Sequence, residues 1–267
     1  MRLAWAFFCR DAAIALSYRI AFVVQLLGNL LLVGILYYLS RTVGVEKVPS
    51  LERYGGNLMA FLLIGVALTD CVLVSLVGFA QQVRESQTTG TLEATLMSPV
   101  RLTVILIYSS FWNYFLSAVR FLMYLLAGVA IGGLRIDTVN PLSGLTIFIL
   151  TVLSFMGIGI LWAAVVLLVK RGEALMSMMT VLVFLVSGVL FPVNLLPGWM
   201  QWFSNLIPLT AALEGMRLAI MKNATLFELG SIVLQLTGFA VLLPTLGILG
   251  FNYAVRIGRR QGSLTQY

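Results

Sequence analysis

The chain has 267 residues, of which 60% are hydrophobic and 10% charged, and its 17 Lys and Arg against 10 Asp and Glu leave a net charge of +7. Ordinary globular chains carry about 25% charge, so this one lacks the polar groups to wet a soluble domain, and its main solvent is lipid. The absence of His removes the usual general base and the commonest metal ligand, Cys9 and Cys71 are too few and too far apart for a thiolate site or a disulfide framework, and none of Lys47, Lys170 and Lys222 stands in a Walker A sequence.

The first segment, residues 1–19, reads as an interfacial helix. Arg10 and Asp11 interrupt its apolar run and no small-residue cleavage site follows, which argues against a cleaved signal. Arg2, Ala6, Cys9, Arg10, Ala13 and Ser17 fall on one polar or small stripe, with Trp5, Phe7 and Phe8 elsewhere on the wheel. Such a helix either anchors the chain or borders a lateral entry for substrate.

A bilayer core of about 30 Å takes roughly 20 apolar residues of helix. Six stretches qualify, at 20–39, 58–80, 102–134, 142–169, 174–191 and 229–255. The first carries Gln25 and Asn29 at i and i+4, able to line a path or to bond across helices. The second and third carry the intramembrane charges Asp70 and Arg120, each costing at least about 2.5 kcal/mol if left alone at a helix centre. They are read either as a polar point on a transport path or as a structural pair, Arg120 alternatively snorkelling to the headgroups. Met176 and Met179 on the fifth offer soft wall residues, or plain packing.

With the N-terminus inside, ten of the 17 cations fall in inner segments and six in outer ones, which by the positive-inside rule places both termini in the cytoplasm. The cations lie scattered in short loops rather than on one face, so no nucleic-acid partner is expected.

Two connections depart from simple loops. The inner one after the second span holds a short helix, predicted at 84–98: Gly90 and Thr91 give it a flexible start, Leu92 and Leu96 share a face, Glu93 lies off that face and Ser98-Pro99 stops it. Two turns are too few to stand alone, so this element must dock, on its own domain or on a cytosolic partner. The outer connection, 192–220, is too apolar for an exposed loop and too broken by Pro192, Pro197 and Pro208 for another span. A re-entrant pair of short helices fits it, with Trp199 and Trp202 at headgroup level and Glu214 pairing with Arg217 at i and i+3 where the second helix meets water.

On these two segments the chain resembles the ABC-2 type permeases, the membrane subunits of a class of ABC exporters. The resemblance rests on Glu85, Gly90-Thr91-Leu92-Glu93 and Ser98-Pro99 in the inner connection, and on Gly188, Phe191-Pro192, Leu196-Pro197, Pro208, Glu214 and Arg217 in the outer one. Ile207 and Ala211 stand where the family often has Asn and an aromatic residue, and the stretch from Tyr18-Arg19 departs from the polysaccharide permeases, which favours a drug-like or lipid-like cargo over a polysaccharide or lipid-linked glycan. The resemblance implies an all-α fold for residues 1–267 as one transmembrane domain, a dimer of permease subunits (a homodimer, or a pair of related chains) in the plasma membrane, separate ABC ATPase subunits that bind the ATP and Mg, and a coupling role for Glu85, Gly90, Thr91, Leu92, Glu93, Leu96 and Pro99. It also implies an outer gate around Phe191, Pro192, Pro197, Trp199, Trp202, Pro208, Glu214 and Arg217, and no cofactor or catalytic residue in this chain. Two rivals from other classes are a lipid-modifying membrane enzyme, for which only Asn205, Glu214 and Arg217 offer polar groups, and an ATP-independent channel or carrier.

Overall fold

Of the seven prolines, five open a helix or 3-10 turn, where the missing N–H costs nothing and the fixed φ is already helical: Pro49, Pro141, Pro192, Pro197 and Pro208. Between them the apolar runs are left to form long helices. The computed structural model describes residues 2–17, 19–42, 49–90, 102–131, 133–168 and 173–261, and among these there is no strand. The helices are α1 (Arg2–Ser17), α2 (Arg19–Thr42), α3 (Leu58–Thr88), α4 (Leu102–Ala130), α5 (Pro141–Leu168), α6 (Glu173–Val186), α7 (Gly198–Asn205), α8 (Pro208–Met221) and α9 (Gly230–Gln261).

Five of them, α2, α3, α4, α5 and α9, are long and apolar enough to cross a membrane. Four predicted boundaries move by four residues or more, and one of them is the end of the last stretch, which runs to Gln261 rather than 255. The stretch expected at 174–191 stops at Val186 because Gly188 adopts φ +79°, a left-handed turn that a continuing helix cannot contain, so α6 has 14 residues and rises about 21 Å. The stretch expected at 102–134 ends at Ala130, where Gly133 and Leu134 both donate to the Gly128 carbonyl. The second, expected to end at Ala80, runs on to Thr88 and makes α3 31 residues long.

The packing centres on α3 and α5. On α5, a side chain at Gly159 would collide with the Ser75 carbonyl of α3, and one at Gly157 with the backbone of Leu243 and Pro244 on α9. Small residues let backbones approach where lipid supplies no hydrophobic drive between helices. Gly159→Leu is therefore expected to abolish the monodisperse peak of the detergent-extracted protein in size-exclusion chromatography, whereas Gly144→Leu, where the nearest atom is the Met216 sulfur at 3.8 Å, leaves that peak in place.

One apolar cluster joins Phe61, Leu63, Ile64 and Leu68 of α3 to Ile147 of α5 and to Leu209, Leu213 and Met216 of α8. A second joins Phe79 and Val83 of α3 to Ile160 of α5 and Phe251 of α9. The outward faces of α2 and α9 carry exposed Leu27, Leu31, Ile35, Leu234, Val241 and Leu249.

The connections before α3, before α5 and before α9 meet at one end of the bundle. Asn57 donates through its side-chain amide to the Gly133 carbonyl, Thr138 donates through its hydroxyl to Ile220 O, and Asn140 N and Asn223 N donate to Ala219 O and Thr138 O. All three connections therefore share one side of the bundle.

Candidate functional site

The helix α6 ends inside the bundle, and the carbonyls of its last turn and the following turn need partners that lipid cannot offer. Arg217 of α8 supplies them. It is 2% exposed, its Nη1 donates to Gly188 O at 2.9 Å and its Nη2 to Val189 O at 2.9 Å and to Phe61 O at 3.4 Å. The guanidinium also lies 3.4 Å above the Phe61 ring. Gly65 of α3 leaves room for this clasp, since a Cβ there would meet Val189 O at 2.6 Å and Arg217 Nη2 at 2.9 Å.

Glu214 does not pair with Arg217, as their i, i+3 spacing predicts; it forms an ion pair with Arg53 of the 3-10 helix Pro49–Tyr54. The reason is the placement of α8. Eleven of its 14 residues are buried, Arg217 among them, so the side chain turns inward to the broken helix end while Glu214 faces outward. Between them Tyr54 packs against Phe61, and burial together with the nearby Glu214 raises the Tyr54 phenol above its ordinary pKa.

The predicted pair of short helices at 192–220 is present as α7 and α8. Pro197 caps α7 and Pro208 opens α8, while Pro192 is buried ahead of the 3-10 turn Val193–Leu195 and Phe191 is half-buried. Ser204 and Thr210 share a hydrogen bond of 3.0 Å across the corner. On α7, Trp199 and Trp202 are exposed at 67% and 62%.

Asp70 and Arg120 meet, with Nε donating to Oδ2 at 2.8 Å. Their registers match: Asp70 lies eighteen residues before the end of α3 at Thr88, and Arg120 eighteen after the start of α4 at Leu102. The two antiparallel helices thus extend equally, by about 27 Å, from the pair to the end of α3 and the start of α4. Arg120 is buried and Asp70 half-buried.

The remaining candidates do not converge. Gln25 is exposed on α2; Asn29 is half-buried with its Nδ2 unpartnered. Met176 lies in α6, and Met179 on the same helix is 39% exposed. Glu85, expected in a loop, lies within α3, and its carbonyl accepts from Thr89 N. Gly90 at φ +69° terminates α3. Thr91, Leu92, Glu93, Leu96 and Pro99 lie outside the described residues.

Among the described residues no group of three or more acidic or Cys side chains is placed to hold a metal. No curated protein matches the chain. Residues 3–221, from α1 through α8, match the profile described as ABC-2 type transporter. That span takes in the Asp70–Arg120 pair, the α6 clasp and both irregular segments, and the chain belongs to the ABC-2 type transporter family, as a membrane-embedded permease subunit that works with ABC ATPase subunits.

Proposed function

We propose that the chain exports an amphiphile, drug-like or lipid-like, from the cytoplasm across the plasma membrane by alternating access, as one half of a homodimer driven by two ATPase subunits. Both termini lie in the cytoplasm and the chain crosses six times, α6 and the turn after it making the fifth crossing. The observation that carries this reading is the broken apolar helix α6: it stops at a turn at Gly188 and is followed by the short helices α7 and α8, with Arg217 fastening the break to α3. Such a closure seals one side of a path, as alternating access requires, and its opening must be linked to cargo and ATP through differential affinity.

Further support comes from the inner end. With the bilayer ending near Ala80, α3 projects about 12 Å below it to Thr88, which carries the end of α3 toward a cytosolic ATPase. α1 packs against α4, with Phe8 edge-on to Trp112 and Phe115, ring centroids 5.1 and 5.7 Å apart, which fastens the N-terminal helix to the bundle. The exposed apolar faces of α2 and α9 offer surface to lipid or to the second subunit.

The test is at the coupling segment. Replacing Leu92 and Leu96 together with Asp is expected to cut co-purification of the ATPase subunits at least tenfold while the permease elutes unchanged in size-exclusion chromatography. Undiminished co-purification refutes the coupling role of 84–98.

A further inference from the structure

At the outer end a cleft of about 200 Å³ opens between the 3-10 helix Pro49–Tyr54, the turn after α6, α7 and α8. Its walls include Arg53, Glu214 and Arg217, with the amides of Asn194, Gln201 and Asn205. Two of the three charges cancel, since Glu214 pairs with Arg53. The third does not. Arg217 is 2% exposed and bonded only to neutral carbonyls, and its Nε is buried with no hydrogen-bond partner. The nearest carboxylate, Glu214, is taken up by Arg53, so Arg217 is a buried guanidinium with an idle donor and no ion-pair partner of its own, which is costly, and a further negative charge in the cleft relieves that cost.

Beside this polar cleft α7 turns Trp199, Trp202 and Phe203 outward, 67%, 62% and 53% exposed. A charged pocket next to a strip of exposed aromatic side chains matches a molecule with an anionic head and an apolar tail. Phosphate suits the head, because the idle guanidinium N–H of Arg217 can donate to its oxygens and the side-chain amides of Asn194 and Asn205 supply further donors.

We propose that this cleft binds a phosphate monoanion carried by an amphiphile, with the phosphate beside Arg217 and the acyl chain along α7. The inference concerns the permease at rest. It involves no ATP and no transport, so its failure leaves the exporter reading untouched, and failure of that reading leaves the cleft.

The charge balance gives a test with opposite signs. Dihexanoyl phosphatidylglycerol is titrated by calorimetry into the full chain in neutral detergent, alongside inorganic phosphate and the uncharged dihexanoylglycerol. The cleft's net charge is +1 in the parent, +2 in Glu214→Gln and 0 in Arg53→Gln. Affinity for the lipid phosphate is expected to rise about tenfold in the first variant and fall about tenfold in the second, one charge acting from roughly 5 Å through a water-rich effective dielectric of about 50. Dihexanoylglycerol is expected not to bind, and phosphate alone to bind at least tenfold more weakly than the lipid. Equal binding of phosphate and lipid overturns the amphiphile and leaves a free-anion site. No saturable binding, or affinities that do not move in opposite directions, overturns the site altogether.

Discussion

Arg217→Met is expected to lower the thermal midpoint of the detergent-solubilised permease by roughly 6 to 12 °C, because the carbonyls of Gly188 and Val189 then lose their donors inside the protein. Each buried group left unpaired costs about 1–3 kcal/mol, or about 3 kcal/mol for the pair, and a chain of this size loses about 2–4 °C per kcal/mol. Lys at this position keeps the charge but not the planar fork that reaches two carbonyls together, so Arg217→Lys is expected to recover less than half of the loss. Gly65→Ala attacks the same clasp from α3, since its new methyl group would sit 2.6 Å from Val189 O, and it is expected to shift the midpoint in the same direction. Heating followed by fluorescence-detected size-exclusion chromatography measures all three. A parental midpoint in Arg217→Met shows that the break after α6 is held by other contacts.

The second large effect is expected at the ion pair of α3 and α4, in which Arg120 is buried and Asp70 half-buried. Removing one member of a buried ion pair strands the other and costs about 3–5 kcal/mol, whereas replacing both with apolar residues of similar size is often neutral. Asp70→Leu alone and Arg120→Met alone are therefore expected to fall out of the folded peak, and the double variant to return to it. Transport by the folded double variant then separates two roles that the 2.8 Å contact leaves together. Parental transport means that the pair only locks α3 to α4 in register, and loss of transport with the fold intact places it on the path. Failure of the double variant to recover shows that the two residues act separately.

Much of the helical frame is legible in the sequence because the bilayer imposes a length and an apolar composition, and both are local properties of the chain. The same holds for the outer helix pair, announced by three prolines that each begin a new element. What is not legible is the partner of each charge. Asp70 and Arg120 meet because α3 runs on to Thr88, eight residues past the predicted end of its span, which gives the two residues equal registers on α3 and α4, and the polar run Gln81-Gln82-Val83-Arg84-Glu85 disguises this extension as a loop. Helix propensity supports its continuation to Thr88, since Gln, Arg and Glu are good helix formers, and Gly90 marks the stop. Arg217 is harder to read. Its partners are backbone carbonyls made available by a turn at Gly188, and no side-chain pattern encodes them, so the i, i+3 neighbour Glu214 looks like the partner until the fold turns it toward Arg53. The remaining signal is a single cation within an apolar helix that follows a glycine-broken one.

The most direct test of an ATP-driven export permease is transport into proteoliposomes that hold the chain with its ABC ATPase subunits, the ATPase side facing outward, using a fluorescent amphiphile. Accumulation in the lumen is expected to require both ATP and the ATPase subunits, and to cease when the ATPase is made unable to hydrolyse ATP. Accumulation driven by the purified chain alone, under an ion gradient and without ATP, contradicts it.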